Sequence, residues 1–380
     1  MCYNKEINWQ HVAKQITRET REERKMGKET MKALRMYAPG DFRYEDVPVP
    51  EIDDDEILVK IEGCGICAGD VKTLHGGVRI WGTTPEKRYI EAPVIGGHEF
   101  VGRVVKYGKN VTGVKEGDRM VSEQIVPCKE CRFCKAGYYS MCQRHYIYGF
   151  KQDTQGGFAE YMKFNKQGIH HHVPDGLSLE QAVLIEPLAC AMHAVERAKI
   201  QHNDVVVISG LGAIGLGMVS VARKMQPKMI IGLDLRQKRM DMAMRCGADM
   251  VLNPLEVNVA DKIRELTDGY GCDVYIEASG SEKSVLQGMD AIRFCGRYVQ
   301  FGVFPKAITV DWNDIGDGKE IEIYGAHLAP YCYEPVMKGM IDGSIYTDGL
   351  ISHSFKMEDW EEAFEVAEKD QDAFKVMLVP

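Results

Sequence analysis

A glycine-rich turn between an apolar strand and a helix is the feature that most constrains the fold of this chain. The run DVVVISG reads as a buried strand, and GLGAIG continues from it and opens a helical pattern. Gly210 is predicted to make the tight turn, Gly212 to let a pyrophosphate approach the backbone, and Gly215 to let the helix pack against the sheet. In this context the motif indicates a dinucleotide fingerprint with the phosphates at the helix N-terminus, rather than a turn that binds nothing.

An acidic residue at the end of the next predicted strand supports this interpretation. Asp234 lies nineteen residues after Gly215. A carboxylate at this position accepts hydrogen bonds from the ribose hydroxyls of NAD and repels the 2′-phosphate of NADP. Arg236, two residues further on, would weaken this discrimination against NADP. Ile214 and Arg239 complete the predicted cofactor-binding set.

The patterns on either side of the turn differ in period and predict two kinds of unit. From residue 204 to about residue 304, strand and helix patterns alternate, which indicates a doubly wound parallel sheet. The preceding region, roughly 31–186, shows short apolar–polar alternation punctuated by Pro and Gly, which predicts a β-rich unit. A helix and a final strand are predicted at the end of the chain. Two domains are expected, because 380 residues exceed the size at which one core usually divides.

Charge and hydropathy exclude several classes of function. The net charge of −9 argues against a nucleic-acid partner and against docking on anionic membranes. The N-terminus has no apolar core of signal-peptide length, and no run approaches the roughly 18–20 apolar residues of a membrane span. A cytoplasmic protein is therefore expected, and in a reducing compartment clustered cysteines suit metal binding better than disulfides.

Four of the twelve cysteines are crowded into the segment CKECRFCKAGYYSMC. Their spacing, C-x2-C-x2-C-x7-C, lets one loop place four thiolates tetrahedrally around a single ion, which predicts a closed structural zinc site. An iron–sulfur cluster is the alternative, since it also uses four cysteines. The predicted ligands are Cys128, Cys131, Cys134 and Cys142.

A second group of potential ligands is spread over three motifs, GCGICAGD, VIGGHEF and LIEPLACAMH. A catalytic zinc takes about three protein ligands and keeps one position open for water or substrate. Glu186 is unusual in its apolar stretch, because carboxylates are rarely buried unpaired. Spacing alone does not select among the candidates, which are Cys64, Cys67, His98, Glu99, Glu186, Cys190 and His193.

The order of these motifs resembles that of zinc-dependent medium-chain alcohol/polyol dehydrogenases, the superfamily that includes sorbitol and threonine dehydrogenases. CGIC, GGHE, the four-cysteine segment, GGFAEY, IEPLA and GLGAIG occur in that order, and the resemblance covers about residues 31–380. It implies an α/β protein with a GroES-like catalytic domain at 31–187, a Rossmann NAD-binding domain at 188–327 and a return segment at 328–380. The charged extension at 1–30 is expected to be a solvated helical tail or an oligomer contact.

The resemblance also implies roles for the metal-site residues. Cys67 matches the first ligand of the catalytic zinc and His98 the second. Glu99 is a ligand in some members and a nearby carboxylate in others. Glu186 stands where classical alcohol dehydrogenases have cysteine, and in the polyol branch it binds zinc directly or through water. The four-cysteine segment matches the structural-zinc lobe, so two zinc ions per chain are implied. The remaining candidates are expected to be packed core residues: Cys64, Cys190 and His193.

Two departures from the family pattern affect the proton path. The family usually reads C-G-S/T-D-x-H, in which hydroxyl and imidazole relay the alcohol proton. In this chain Gly69 replaces the hydroxyl residue and cannot carry a proton, and Lys72 replaces the histidine. The alcohol proton is therefore expected to pass to water bridged to Glu186, or to Lys72 itself. Gly96 replaces a common proline without affecting the ligands. The run CAGD-x-K is similar to that of erythritol/threitol-type dehydrogenases and their cyclitol-oxidising relatives.

The resemblance implies an enzyme that transfers hydride reversibly between NAD and a secondary alcohol of a polyol or cyclitol, in a homodimer or homotetramer. Lys72 is a candidate for contact with the substrate hydroxyls. Trp81 and Tyr148 are equally compatible with substrate contact and with packing. His327 is a candidate for contact with the nicotinamide cofactor. An amino alcohol such as threonine is an alternative substrate, which Lys72 disfavours because it would repel an ammonium group.

Two other classes of protein share some of these motifs. A non-catalytic zinc- and nucleotide-binding protein would explain the four-cysteine segment and the glycine motif. It would not explain a second, incomplete set of ligands. A zinc-free reductase of the same superfamily would lack both metal motifs.

Overall fold

The computed structural model describes residues 29–380. The extension predicted at 1–30 therefore lies, except for its last two residues, outside the described part of the chain. No helix within 29–380 is both long and apolar enough to cross a membrane.

The strands divide between an antiparallel first half and a parallel second half of the chain. In the first half they are β1 (Thr30–Ala38), β2 (Asp41–Pro48), β3 (Ile57–Gly65), β4 (Val94–Ile95), β5 (Glu99–Tyr107), β6 (Arg119–Ser122), β7 (Ile125–Val126), β8 (Tyr146–Ile147), β9 (Tyr161–Phe164) and β10 (His170–His172). In the second half they are β11 (Val205–Ser209), β12 (Met229–Leu233), β13 (Met250–Leu252), β14 (Cys272–Glu277), β15 (Ile292–Gln300), β16 (Glu322–Gly325), β17 (Ile351–Lys356) and β18 (Lys375–Val379).

Most of the long helices lie in the second half, where they alternate with the parallel strands. The α-helices are α1 (Ala68–Leu74), α2 (Val78–Trp81), α3 (Arg132–Lys135), α4 (Leu179–Val183), α5 (Ile185–Arg197), α6 (Ala213–Lys224), α7 (Gln237–Arg245), α8 (Val259–Leu266), α9 (Glu282–Ala291), α10 (Tyr333–Ile341) and α11 (Trp360–Lys369). Short 3₁₀ turns occur at Pro85–Lys87, Tyr139–Met141 and Met357–Asp359, and a π turn at Asp314–Gly318.

The second half forms a six-stranded parallel sheet in the order β13-β12-β11-β14-β15-β16. Renumbered within the sheet, this is the order 3-2-1-4-5-6 of the doubly wound dinucleotide fold. The direction of winding reverses between β11 and β14, and in such sheets ligands bind at the carboxyl ends of the strands at that point. The glycine turn lies at the carboxyl end of β11, so the fold places the fingerprint at the reversal.

The first half forms a β-rich unit that the end of the chain completes. Its main sheet runs β10-β6-β5-β3-β18-β17, and β9 also pairs with β3. The last strand pairs antiparallel with β3, where Met377 lies opposite Gly65 and Leu378 opposite Cys64. The GroES-like and Rossmann-like α/β architecture predicted above is confirmed.

Candidate active site and cofactor site

The loop between β3 and α1 positions the first candidate metal ligand. Cys67 precedes α1, and its Sγ accepts a hydrogen bond from the Gly69 amide at 3.4 Å. The carboxylate of Asp70 accepts one in return from the Cys67 amide at 2.9 Å. This reciprocal capping arrangement fixes the start of the helix and holds the sulfur in place.

Three side chains converge here with the donor atoms of a metal site. One ligand atom each of Cys67, His98 and Glu99 lies within 4.8 Å of the other two. Glu99 begins β5, and the pairing of Glu99 with Gly65 brings this strand against the end of β3. Strand pairing and the helix cap therefore bring together residues that are about thirty positions apart in sequence.

His98 stands opposite a buried carboxylate. Its Nδ1 is 3.7 Å from Asp70 Oδ1, and neither atom has a hydrogen-bond partner among the described residues. Burial raises the pKa of Asp70. Burial alone would lower the pKa of His98, but Asp70 and Cys67 raise it well above its usual value. Thiol, imidazole and carboxylate gathered in a buried site with unpartnered polar atoms are a donor set that fits a divalent cation.

Lys375 neutralises one of the site's carboxylates. Its Nζ lies 2.6 and 2.7 Å from the two carboxylate oxygens of Glu99, and both side chains are buried. Burial alone would lower the pKa of Lys375, but Glu99 and then Cys67 raise it. The ammonium therefore compensates the charge of Glu99 within the protein.

Glu186 lies in the first turn of α5 and is buried. Its Oε1 accepts a hydrogen bond from the Gln124 amide and lies 3.5 Å from Cys190 Sγ. The hydroxyl of Tyr333 donates to Gln124 Oε1 at 3.0 Å, which fixes the orientation of the amide. Burial is the main cause that raises the pKa of Glu186 to about 7. Glu186 does not belong to the group of three ligand atoms defined above.

The cysteine lobe brings its four sulfur atoms together around one point. The ligand atoms of Cys128, Cys131, Cys134 and Cys142 all lie within 4.8 Å of one another. Backbone amides point at the sulfur atoms: Cys128 N lies 3.3 Å from Cys142 Sγ, and Cys131 N lies 3.3 Å from Cys128 Sγ. The pKa of Cys131 falls to about 6, chiefly through the backbone amide of Gln143. Such amide–sulfur bonds favour the thiolates that a metal ion requires.

The glycine turn has the geometry that a dinucleotide fingerprint requires. Gly210 has a φ of +96°, and a Cβ there would lie 2.7 Å from the Ser279 amide nitrogen. A Cβ on Gly215 would lie 1.9 Å from the Gly210 carbonyl oxygen, so the helix can approach only without a side chain. At Gly212 the nearest atom is Arg239 Nη1 at 3.9 Å, which leaves the backbone open to a ligand.

Asp234 supports the turn and carries the charge beside it. Its Oδ2 accepts the Leu211 amide at 2.8 Å, and its Oδ1 accepts the amides of Leu235 and Arg236 at 2.8 and 3.0 Å. Arg239 Nη1 lies 3.8 Å from Oδ2. The carboxylate thus stabilises the backbone around the glycine turn, and it lies where an acceptor for the ribose hydroxyls is expected.

Comparison with known proteins identifies the family. The chain matches the model of the alcohol dehydrogenase GroES-like domain over residues 53–175 and that of the zinc-binding dehydrogenases over residues 213–342. It is 42% identical to erythritol/L-threitol dehydrogenase of Mycolicibacterium smegmatis, covering 93% of this chain and 98% of the relative. It is 34% identical to sorbitol dehydrogenase of Halalkalibacterium halodurans, covering 92% and 99%.

The chain belongs to the zinc-binding medium-chain alcohol/polyol dehydrogenases. A solved structure of a putative zinc-binding dehydrogenase from Sinorhizobium meliloti, bound to NADP, superposes with a TM-score of 0.84 at 28% identity, covering 93% of this chain and all of that one. The predicted family is confirmed, and the protein is a zinc-dependent oxidoreductase that acts on CH–OH groups. The four cysteines form its structural zinc site, and Cys67, His98 and Glu99 form its candidate catalytic site.

The other sequence candidates occupy different places in this dehydrogenase. Lys72 Nζ donates to the carbonyl of Val303 at 3.2 Å, beyond the end of β15, and so connects α1 with the nucleotide-binding unit. Trp81 is buried and donates to the Thr73 carbonyl. Tyr148 is fully buried, and its hydroxyl accepts the Asn165 amide. These contacts favour packing roles for Trp81 and Tyr148.

Three residues that act on the site were not predicted from the sequence. Lys375 is the charged residue in the otherwise apolar final strand KVMLV. Because a buried lysine needs an acidic partner, this position could have been recognised from the sequence as one side of an ion pair. Gln124 and Tyr333 have no local signal, because their hydrogen bond joins positions 209 residues apart.

Proposed function

We propose that this dehydrogenase oxidises a secondary alcohol of a polyol or cyclitol to the ketone, reversibly, with NAD as the hydride acceptor. The observation that carries the proposal is the convergence of Cys67, His98 and Glu99 in a buried site. The relatives named for erythritol/L-threitol and for sorbitol support the substrate class.

Cys67 and His98 are the residues proposed to hold the catalytic zinc, with Glu186 as a water-linked or transient partner. Zinc would supply Lewis acidity, which lowers the pKa of a bound hydroxyl, and the nicotinamide would accept the hydride. Because Lys375 compensates Glu99, Cys67 would be the ligand that lowers the charge of a bound zinc ion, and His98 would add none. The positive charge left on the ion would favour the alkoxide form of the substrate over the alcohol.

Glu186 is the residue proposed to receive the alcohol proton. Its pKa of about 7 suits a group that takes up and releases a proton near neutral pH. Gln124 occupies Oε1, which leaves Oε2 for the proton. Lys72 was the alternative acceptor, but its ammonium is engaged by the Val303 carbonyl, which favours Glu186.

The choice of NAD rests on Asp234, whose carboxylate lies beside the glycine turn. Arg236 and Arg239 lie close to it and are the groups that would accommodate a 2′-phosphate. NADP is therefore the alternative cofactor. An amino alcohol is the alternative substrate, which the cation of Lys72 at the edge of the nucleotide-binding unit disfavours.

The test is a panel of polyols, cyclitols and amino alcohols with NAD and with NADP, read by the absorbance of the reduced nicotinamide. Turnover of amino alcohols alone would contradict the substrate class, and turnover with NADP alone would contradict the cofactor.

Two substitutions test the site itself. Cys67→Ser and His98→Ala are expected to lower kcat/KM about a thousandfold or more, because several kcal/mol of charge stabilisation are lost. Binding of NAD, measured by fluorescence titration, should persist in both variants. Cys295→Ser, at an exposed cysteine, is the matched control. Wild-type turnover in either variant would exclude these residues as zinc ligands.

A further inference from the structure

A second group of metal-binding side chains lies outside the catalytic site and outside the cysteine lobe. One ligand atom each of His193, Glu196 and Cys332 lies within 4.8 Å of the other two. His193 and Glu196 are three residues apart on α5, a spacing that places both on one face of a helix. Cys332 immediately precedes α10, which shares a hydrophobic core with α5.

The three side chains form a graded site that opens toward solvent. Cys332 is fully buried, and its Sγ lies 3.6 Å from Glu196 Oε2 and 3.2 Å from the Pro330 carbonyl oxygen. His193 is half-buried and Glu196 is exposed. The thiol is therefore the most buried of the three donors and the carboxylate the most exposed.

A second imidazole, that of His327, interacts electrostatically with this group. Burial, and then the charges of His145 and His193, lower the pKa of His327 to about 4. His327 and His145 are stacked with centroids 4.9 Å apart, and their Nε2 atoms are 3.2 Å apart. The proposed site is therefore defined by the three ligand atoms, and His327 lies outside that group.

We propose that His193, Glu196 and Cys332 form an additional binding site for a divalent first-row transition metal ion, with zinc as the expected occupant. Imidazole nitrogen, carboxylate oxygen and thiolate sulfur are the three donor types that zinc takes in proteins. The thiolate and the carboxylate together balance the charge of the ion. The thiol proton is released to solvent when the ion binds.

The ion would connect α5 to the segment that leads into α10. Glu186 lies in the first turn of α5, so the ion would hold the far end of the helix that carries this proton acceptor. Without an ion, the contact between Cys332 and Glu196 is a single weak S–H···O hydrogen bond. Ion binding and a purely structural hydrogen bond therefore predict different responses to added metal.

The first experiment measures metal stoichiometry in the full-length, zinc-loaded enzyme. Wild type and variants are dialysed against buffered free Zn²⁺, and zinc per chain is measured by atomic emission. Wild type is expected to bind one zinc equivalent more than His193→Gln, Glu196→Gln and Cys332→Ser. The controls are His202→Gln, at an exposed histidine, and Cys246→Ser, at a buried cysteine, and both should match wild type. Equal zinc in wild type and His193→Gln would overturn the proposal.

The second experiment tests the ligands spectroscopically and does not depend on catalysis. Co²⁺ added to wild type that holds two zinc ions per chain, before the additional site is filled, should give thiolate-to-cobalt charge-transfer absorption that Cys332→Ser lacks and Cys246→Ser keeps. Added zinc should also raise the Tm of wild type in a concentration-dependent way, and this rise should be lost in His193→Gln. If Cys332→Ser does not fold, His193→Gln and Glu196→Gln, at less buried positions, decide the outcome. The same cobalt spectrum and the same Tm rise in these variants as in wild type would contradict the site.

Discussion

At the scale of single residues, Lys375 neutralises a buried carboxylate of the candidate catalytic site. It forms a buried ion pair with Glu99, in which the two side chains are only 5% and 0% exposed. Removing one partner of such a pair leaves an uncompensated charge in the interior. Lys375→Met is therefore expected to lower the free energy of unfolding of the zinc-loaded enzyme by about 3–5 kcal/mol, measured by urea denaturation.

The double variant Lys375→Met/Glu99→Gln is the control for this prediction. It removes both charges, so part of the lost stability should return. A Lys375→Met enzyme as stable as wild type would mean that Glu99 is compensated in another way, for example by direct binding to the zinc.

Asp234 offers a prediction about the choice of cofactor. Asp234→Asn removes the negative charge and keeps one oxygen, which can accept either the Leu211 amide or the amides of Leu235 and Arg236. The ratio of kcat/KM for NAD over NADP is expected to fall about tenfold or more, because the repulsion of the 2′-phosphate is lost.

Asp234→Ala separates the two roles of this residue. It should lower the ratio of kcat/KM for NAD over NADP, as Asp234→Asn does. It should also lower the Tm, because it removes the acceptor for three backbone amides. An unchanged ratio in both variants would mean that Arg236 or Arg239 sets the preference.

The residues found from the sequence share one property: each stands in a short motif whose neighbours reveal its role. Cys67 and His98 are flanked by glycines that mark close backbone approach, and the four lobe cysteines lie within fifteen residues. The residues missed are held by contacts over long distances in the chain. Lys375 and Glu99 are 276 positions apart in the chain. The local sequence shows a lysine in an apolar strand, but it does not identify Glu99 as its partner.

At the scale of elements, the cysteine lobe has little regular structure or core of its own. It contains the four-residue helix α3 and one 3₁₀ turn, and the large apolar side chains of Tyr138 and Met141 are 66% and 52% exposed. The metal ion must therefore replace a hydrophobic core in holding the lobe together. Cys131→Ser is expected to lower the Tm and to expose the lobe to limited proteolysis, with a smaller effect on the turnover of the remaining folded enzyme.

Cys295→Ser provides the control for this prediction as well, because it removes an exposed thiol outside the lobe. A Cys131→Ser variant that keeps its Tm and its resistance to protease, but loses turnover, would contradict a structural role for this zinc.

The elements themselves were predictable where their period was clear. Alternating strands and helices indicated the parallel sheet, and the observed order 3-2-1-4-5-6 follows from short right-handed crossovers. The type of α5 was not decided by pattern, because ten of its thirteen residues are buried and a helix apolar on nearly all sides shows no period. The pairing of β18 with β3 is non-local and had no sequence signal beyond the family resemblance.

At the scale of the whole molecule, the two units are joined by packing and by single polar contacts across the junction. α5 packs in one core with α6 and α10, and its first turn carries Glu186, the proposed proton acceptor. Lys72 bridges from α1 to Val303. The proposed proton acceptor, the candidate metal ligands and the glycine turn therefore lie on or next to regular elements that pack together, which favours a fixed catalytic geometry.

The free edge of the parallel sheet predicts how two copies of the enzyme associate. β16 is the edge strand, and within residues 29–380 it pairs only with β15. It is short and has no lysine or proline to block edge pairing, and its residue Ile323 is 41% exposed. Pairing of two β16 strands about a twofold axis would bury the same surface on both copies, as in most homodimers.

The predicted dimer is tested by placing a charge on that edge. Wild type is expected to elute with the mass of a dimer in size-exclusion chromatography with light scattering. Ile323→Lys should shift the mass toward the monomer, because two lysines would face each other across the twofold axis. Val257→Lys, at a residue that is 39% exposed after β13 on the opposite side of the sheet, is the matched control and should leave the mass unchanged. A dimer that persists in Ile323→Lys would place the contact elsewhere on the surface.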